Sequence, residues 1–317
     1  MKLTGSFLRL IRWPNLVFIA LTQALFYYAV ILPVLPSSYY EYTKKLTLPV
    51  FMVLIAASVL IAAAGYIIND YFDINIDRVN KPGKMVVEKV IKRRWAIILH
   101  IIITLAGIAC SLYVTMKTTL VIVIANVGCA LLLWVYSTTF KKKLLSGNVI
   151  ISMLTAWVII VLYFAVNTVY LNTRKQPVEI IVAMNLIFKF AALYAGFAFI
   201  ISLVREVVKD IEDMEGDEKY GCKTMPIVWG IPASKVFVGV WMVVLIGAIG
   251  IIIVYMLQKG WWLSAVYCLL LLIIPLISTL QQFYKAQNAA DYHKISSKVK
   301  LIMLAGILSM LLLKIYL

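Results

Sequence analysis

The chain has 317 residues, of which 63% are hydrophobic and only 14% charged, with a formal net charge of +16. A mean hydropathy of +0.97 excludes a soluble globular domain. The apolar residues recur in runs of about 20, the length of a helix that crosses a bilayer, whereas a membrane barrel would show short alternating segments. The sequence therefore predicts an all-α polytopic membrane protein.

Nine transmembrane helices are predicted in chain order. Their limits are 13–34, 48–70, 95–115, 118–138, 147–167, 179–205, 233–257, 262–283 and 298–316. The first follows basic residues, as a signal peptide does. Its apolar run is too long, however, and no small-residue cleavage motif follows it, so we expect it to remain in the mature chain.

Lysine and arginine predict the orientation. With a cytoplasmic N-terminus, the cytoplasmic side holds 22 of these residues and the opposite side 7, while Lys189 lies within a span. This bias predicts a multi-pass protein of the cell (inner) membrane whose C-terminus lies on the opposite side. The positive charge thus reflects topology and contact with membrane lipids or an anionic substrate, and it requires no nucleic acid.

Two polar stretches follow apolar helices, and both hold aspartates at the same spacing. They read YIINDYFDINIDRVNKPGK, residues 66–84, and REVVKDIEDMEGDEKYGCKT, residues 205–224. The aspartates are Asp70, Asp73 and Asp77 in the first and Asp210, Asp213 and Asp217 in the second. Because the two sets are 140 residues apart, we predict one domain, 1–317, with two related halves of approximately 1–145 and 146–317.

On a continuous helix, the spacing i, i+3, i+7 places each set of aspartates within an arc of about 60°. Two carboxylates ~5 Å apart repel by about 3 kcal/mol at an effective dielectric near 20, so a cation must offset them. Magnesium prefers carboxylate oxygen and is often shared between a few carboxylates and a substrate phosphate. We therefore predict a central cavity near the cytoplasmic face, where two Mg²⁺ ions and nearby basic residues bind a diphosphate.

At these residues the sequence resembles the UbiA superfamily of intramembrane prenyltransferases. Residues 69–77 match the family's NDxxDxxxD motif, followed by an Asn-Lys-Pro-x-Lys element, and residues 209–227 are similar to its second aspartate segment. YSTTFKKKLLSGN, residues 136–148, and IRWPN, residues 11–15, are also similar to family segments. The resemblance spans essentially the whole chain and implies the same nine-helix topology.

The resemblance implies a role for each motif residue. Catalytic residues would be Asp70, Asp73, Asp210 and Asp213, and these would ligate magnesium together with Asp77 and Asp217. Diphosphate-binding residues would be Asn69, Arg78, Lys81, Lys84, Tyr136, Lys141, Lys142, Lys209 and Lys223. Aromatic faces able to stabilise an allylic cation would be Tyr71, Trp134, Tyr136, Tyr194 and Phe197.

The implied activity is transfer of a polyprenyl group from a polyprenyl diphosphate donor to an acceptor. The second motif is most similar to members that prenylate geranylgeranylglyceryl phosphate. The alternative is an aromatic quinone precursor of the 4-hydroxybenzoate, dihydroxynaphthoate or homogentisate type. The segment after the first motif, MVVEKVIKRRWA, replaces the Pro- and Gly-containing turn of many members, so the acceptor stays open. We infer no obligate protein partner.

Two other classes of membrane protein share some of these features. An ion-coupled transporter also carries repeats and acidic residues, but usually near the bilayer midplane. A CDP-alcohol phosphotransferase needs a glycine after its second aspartate, where this chain has Ile74. His100 and His293 show no spacing that favours catalysis, and the four cysteines form no zinc-binding pattern.

Overall fold

The computed structural model describes residues 2–36, 39, 46–80, 83, 85–167 and 178–317. Within these ranges nine helices are long and apolar enough to cross a membrane, which confirms the predicted all-helical, multi-pass fold. We number them α1 to α9 in chain order: Trp13–Val34, Leu48–Phe72, Arg93–Lys117, Leu120–Thr138, Ser146–Val166, Val178–Glu212, Gly230–Gln258, Trp262–Lys285 and Ala289–Leu313.

Two of these helices are longer than the sequence predicts. Helix α6 continues past residue 205 to Glu212, and α9 begins at Ala289 rather than at residue 298. Both extensions are polar, so hydropathy marks where the apolar layer ends and not where the helix ends. At the start of α9, the Asn288 side chain caps the helix by accepting a hydrogen bond of 3.0 Å from the Asp291 amide.

Helices α1 and α8 each contain a π-helical segment that ends two residues before a proline. These segments are Tyr27–Ile31, followed by Pro33, and Leu269–Ile273, followed by Pro275. Proline has no N–H to continue the α-helical hydrogen bonds, so the preceding turn widens. Both helices continue beyond the proline and remain single spans.

The interior contains three apolar clusters. One joins α1, α2, α5 and α6 around Phe26 and Phe51, and a second joins α6 to α9 around Met242 and Phe283. The third is smaller and lies beside the first aspartate motif, where Leu10 packs with Val86 and Val87 of the loop before α3. Between these clusters, the aspartate end of the bundle retains a cavity lined by both charged and apolar side chains.

Close packing between α2 and α3 depends on Gly107. A Cβ atom added at this position would lie 2.9 Å from the Ile61 side chain and 3.3 Å from its backbone nitrogen. Gly128 of α4 has no atom within 4 Å of the same hypothetical position. A side chain at Gly107 must therefore displace α2, which a side chain at Gly128 need not do.

We expect Gly107→Val to destabilise the protein by about 1–3 kcal/mol, because overpacking a helix interface costs that much. Gly128→Val is the matched control, since both substitutions place valine in a membrane helix. The melting temperature of each purified variant in detergent measures the difference. Equal melting temperatures would contradict this description of the α2–α3 contact.

Candidate active site

The two aspartate motifs share one backbone geometry. Helix α2 ends at Phe72 and α6 ends at Glu212, and in each case the next residue is the second aspartate of its motif. Asp73 has φ −87° and ψ 0°, and Asp213 has φ −94° and ψ 6°. The matching backbone supports the predicted relation between the halves, although the division into halves remains a prediction.

This break corrects the expectation of a continuous helix through each motif. After it, the chain forms the short helices Ile74–Asn80 and Met214–Lys219. The third aspartates, Asp77 and Asp217, lie in the first turns of these short helices. There the helix dipole favours an anion, so their position is less costly than the one expected at a helix C-terminus.

Asn80 joins the two motifs. Its Nδ2 donates to the carbonyl oxygen of Asp213 at 2.9 Å, and its Oδ1 accepts from the Gly216 amide at 2.9 Å. A Cβ atom at Gly216 would clash with the Asn80 side-chain amide, so only glycine allows this approach. One side chain thus fixes the distance between the two aspartate clusters.

Both motifs face a single cavity of about 280 Å³ at this end of the bundle. Five of the six motif aspartates line it: Asp73, Asp77, Asp210, Asp213 and Asp217. Asp70 does not line the cavity and instead accepts a hydrogen bond of 2.7 Å from Arg12 Nη2. The predicted facing arrangement therefore includes five carboxylates, with Asp70 bound to an arginine that sequence reasoning did not select.

Lys141 supplies the cation closest to the first motif. It forms an ion pair with Asp73, whose Oδ2 also accepts from Asn69 Nδ2 at 2.6 Å. Burial alone would lower the pKa of the Lys141 ammonium, but Asp73, with smaller contributions from Tyr136 and Asp217, raises it above its ordinary value. Lys141 is therefore protonated at neutral pH.

The turn that carries Lys141 is unusually tight. Helix α4 is followed by the 3₁₀ turn Phe140–Lys142, and α5 begins at Ser146. A Cβ atom at Gly147 would lie 2.9 Å from the Phe140 carbonyl oxygen. Glycine at this position lets the turn fold back over the start of α5 and direct Lys141 towards the cavity.

Arg12 is positioned by a strained backbone. It has φ 49° and ψ 52°, a left-handed conformation between the helix Lys2–Leu10 and the start of α1. Such a conformation costs a residue with a side chain about 1–2 kcal/mol. Although burial lowers the pKa of the Arg12 guanidinium, the larger combined effect of Asp70, Tyr66 and Asp73 raises it. The ion pair with Asp70 offsets the strain.

The other predicted ligands occupy three kinds of position. Asn69, Tyr136 and Lys209 line the cavity. Arg78 is exposed and pairs with Glu88 at 2.5 Å. Lys142 and Lys223 are exposed, and the Lys223 amide donates to the Lys142 carbonyl at 2.8 Å. Lys81 and Lys84 lie outside the described residues. The diphosphate-binding roles of all these residues remain predictions.

Of the aromatic residues predicted to stabilise the cation, some line a cavity and others pack against neighbouring side chains. Tyr136 lines the main cavity, and Tyr194 and Phe197 line a smaller apolar cavity of about 80 Å³ beside it. Tyr71 lies under the guanidinium of Arg93, and the ring of Trp134 contacts that of Phe72, so these two have packing roles.

The two histidines have ordinary structural contacts. His100 Nδ1 lies 3.0 Å from the Ala64 carbonyl oxygen, and His293 Nδ1 lies 2.7 Å from Glu212 Oε1. The side chain of Lys189 is exposed on the outer surface of α6, away from the cavity lining. That neither histidine is catalytic stays a prediction.

Several cavity residues were missed by sequence reasoning. Arg205, Glu206 and Lys300 line the cavity, and Asn148, which lies outside its lining, donates to Asp210 Oδ2 at 2.8 Å. Arg12 lies in the IRWPN segment, which is similar to a family segment, but the sequence offered no reason to assign this residue a role. Arg205, Glu206 and Lys300 occupy apolar helices far apart in sequence, so only the helix packing brings them together.

The donor set fits magnesium held together with a substrate. Within the described ranges, no three His, Cys, Asp or Glu side chains are close enough to hold a metal ion by themselves. The facing groups are nevertheless hard oxygen donors, and Asn69 Oδ1 is buried with no hydrogen-bond partner in the described part of the chain. Magnesium takes few protein ligands when a substrate phosphate supplies the others.

Across the described ranges, the chain is a membrane bundle in which two carboxylate clusters line one cavity, an arrangement that suits an intramembrane enzyme. The family model of the UbiA prenyltransferase family matches residues 30–304. The chain therefore belongs to the UbiA prenyltransferase family and is a prenyltransferase.

Two relatives with the same assigned name indicate the kind of pathway in which such prenyltransferases act. A digeranylgeranylglyceryl phosphate synthase of Methanosphaera stadtmanae is 27% identical over 78% of this chain and 81% of its own length. The protein of the same name from Methanothermobacter thermautotrophicus is 32% identical over 61% of this chain and 62% of its own length. These names support prenyl transfer in a lipid pathway.

Solved structures confirm the fold. A structure described as giving insights into digeranylgeranylglyceryl phosphate synthase in membranes has a TM-score of 0.61, 25% identity and full coverage of both chains. A UbiA homologue from Archaeoglobus fulgidus bound to DMAPP and Mg²⁺ has a TM-score of 0.58 at 16% identity, covering 96% of this chain and 99% of its own. The latter likeness shows the fold alone.

We expect Asn80→Ala to weaken magnesium activation, because it removes both hydrogen bonds that hold the aspartate clusters at a fixed distance. The magnesium concentration for half-maximal activity should rise several-fold, with a loss of about 1–2 kcal/mol in stability. Asn75→Ala is the control, since Asn75 is exposed on the same short helix. An unchanged magnesium response in Asn80→Ala would show that the clusters keep their spacing without Asn80.

Proposed function

We propose that the protein transfers a polyprenyl group from its diphosphate to a lipid acceptor of the geranylgeranylglyceryl phosphate type. The observation that carries this proposal is the convergence of five carboxylates and Lys141 on one cavity within a membrane bundle. A carboxylate cavity with adjacent cations suits a metal–diphosphate group, and apolar helices around it suit an isoprenoid chain.

The relatives' names favour the lipid acceptor over an aromatic one. Those reported above act, by name, in making a glyceryl phosphate lipid, and the names give no support to a role in quinone synthesis. The transporter alternative also has no supporting observation, because the carboxylates lie where α2 and α6 end and not at the middle of a span.

The cavity residues explain how the donor can be activated. Asp73 and Asp77 on one side, and Asp210, Asp213 and Asp217 on the other, would hold two Mg²⁺ ions, which withdraw charge from the leaving diphosphate when bound. Lys141 and Lys209 add positive charge where the C1–O bond breaks and negative charge develops on the diphosphate.

An aromatic ring and the apolar walls of the cavity stabilise the prenyl cation and protect it from water. The ring face of Tyr136, in the cavity lining, attracts the positive charge that develops at C1. The apolar walls exclude water, which would otherwise hydrolyse the cation. Once the C1–O bond has broken and its electron pair has gone to the diphosphate, the acceptor hydroxyl oxygen bonds to C1, its proton passes to the released diphosphate, and the diphosphate leaves the cavity.

We also propose that the cavity opens towards the cytoplasm, with the N-terminus on that side and the C-terminus opposite. The excess of lysine and arginine in the loops at the aspartate end supports this orientation. A reporter active only outside the cytoplasm should be active when fused after residue 317 and inactive when fused after Asn288. The reverse pattern would overturn the orientation without affecting the fold.

Prenyl transfer by the purified protein in lipid tests the proposed function. We expect labelled geranylgeranyl diphosphate to react with geranylgeranylglyceryl phosphate only when magnesium is present. Asp73→Ala and Asp213→Ala should each reduce turnover by at least about 100-fold, as expected when charge stabilisation in the transition state is lost. Asp70→Ala should be less severe, because Asp70 lies outside the cavity lining and reaches the cavity only through its partner Arg12, which does line it.

Glu218→Gln is the control for these variants, since Glu218 is an exposed carboxylate on the same short helix as Asp217. Parallel assays with 4-hydroxybenzoate and dihydroxynaphthoate test the aromatic alternative. Product from either, and none from the lipid, would refute the proposed acceptor. If the protein binds neither the donor nor the acceptor, the result would favour the transporter alternative.

A further inference from the structure

The main cavity contains a second group of charged residues, apart from the aspartate motifs. Arg205 and Glu206 reach it from α6, Lys300 from α9, and Asn15 from α1. We call these four residues the inner polar corner. The donor chemistry described above uses none of them.

The contacts of the inner polar corner leave cationic donors available. Lys300 Nζ donates to Asn15 Oδ1 at 2.7 Å and lies 5.2 Å from the centre of the Phe18 ring, so both of these contacts are with neutral groups and neither is with a carboxylate. Arg205 Nη1 donates to Glu206 Oε1 at 2.9 Å. Arg205 Nε is buried with no hydrogen-bond partner among the described residues. Two cations therefore face one carboxylate, and one buried N–H lacks an acceptor.

Within the inner polar corner, Arg205 lies deeper in the bundle than the aspartates of the second motif. Arg205 precedes Asp210 by five residues on α6, which places it about 7.5 Å further from the end of that helix. Lys300 lies about 17 Å along α9 from its start at Ala289. An anion bound here would be separate from a diphosphate bound between the aspartate clusters.

The inner polar corner also adjoins the smaller apolar cavity. That cavity shares Phe18, Ile19 and Met303 with the lining of the main cavity, and Met303 follows Lys300 by one turn of α9. A molecule with a phosphate at Lys300 can therefore extend an isoprenoid chain between α1 and α9 along apolar side chains. Such a molecule has the chemistry of the lipid acceptor.

We infer that Arg205, Lys300 and Asn15 form the binding site for the phosphomonoester headgroup of the lipid acceptor. This inference rests on the proposed function and deepens it. The donor diphosphate and the acceptor phosphate are both anions, so holding them close together requires two separate groups of compensating charge. The aspartate clusters with magnesium serve the first, and the inner polar corner serves the second.

Steady-state kinetics of Lys300→Met and Arg205→Gln test this assignment. We expect each variant to raise the KM for geranylgeranylglyceryl phosphate by roughly 10- to 100-fold, as expected for loss of one charged hydrogen bond. The KM for geranylgeranyl diphosphate should stay within about twofold. The wild-type preference for this acceptor over its dephosphorylated analogue, geranylgeranylglycerol, should fall by the same factor, which a purely structural role would not produce.

Lys298→Met is the matched control, since Lys298 is exposed on the same helix and bonds to Gln282. The melting temperature of Arg205→Gln identifies misfolding caused by the unpaired Glu206, and Lys300→Met leaves that pair intact. A rise in the donor KM instead would assign these cations to the diphosphate and overturn the inference. Unchanged KM values with active wild type would overturn the inference alone, whereas wild type inactive on the lipid acceptor would overturn both proposals.

Discussion

Compensation of buried negative charge is the constraint on which this end of the structure depends. Asp73 is buried, and its position requires both the Lys141 ion pair and the Asn69 hydrogen bond. An ionised carboxylate in an apolar bundle without such partners would cost several kcal/mol. Asn69 belongs to α2, the helix that ends just before Asp73, whereas Lys141 comes from the turn between α4 and α5, so the charge balance exists only when that turn has packed against the end of α2.

Arg12 shows how far this requirement shapes the backbone. Its left-handed conformation is unfavourable in isolation, and the turn it makes brings the guanidinium to Asp70 at 2.7 Å. Asp70 thereby differs from its counterpart, Asp210, which lines the cavity and accepts from Asn148. The two motifs match in backbone yet differ in the partner of their first aspartate, so related halves do not make an equivalent pair of sites.

The sequence alone predicts the number of helices and most of the carboxylates, because apolar runs and aspartate spacing are local patterns. It does not predict the break at Asp73 or at Asp213, since local propensity does not distinguish a kinked helix from a straight one there. It also fails for Arg205 and Lys300, whose meeting in one cavity depends on the contact between α6 and α9. Contacts between distant helices are set by packing, which composition and spacing do not encode.

The loop before α3 packs against the two segments that carry Arg12 and Asp73. Its residues Val86, Val87 and Ile91 pack in one cluster with Leu10 and Ile74, and Glu88 binds Arg78. Leu10 belongs to the helix that leads into Arg12, and Ile74 follows Asp73 directly. The loop thus holds the turn that carries Arg12 against the first motif. Its difference from the family pattern is therefore coupled by packing to the position of two aspartates, although none of the loop residues from 85 to 92 lines the cavity.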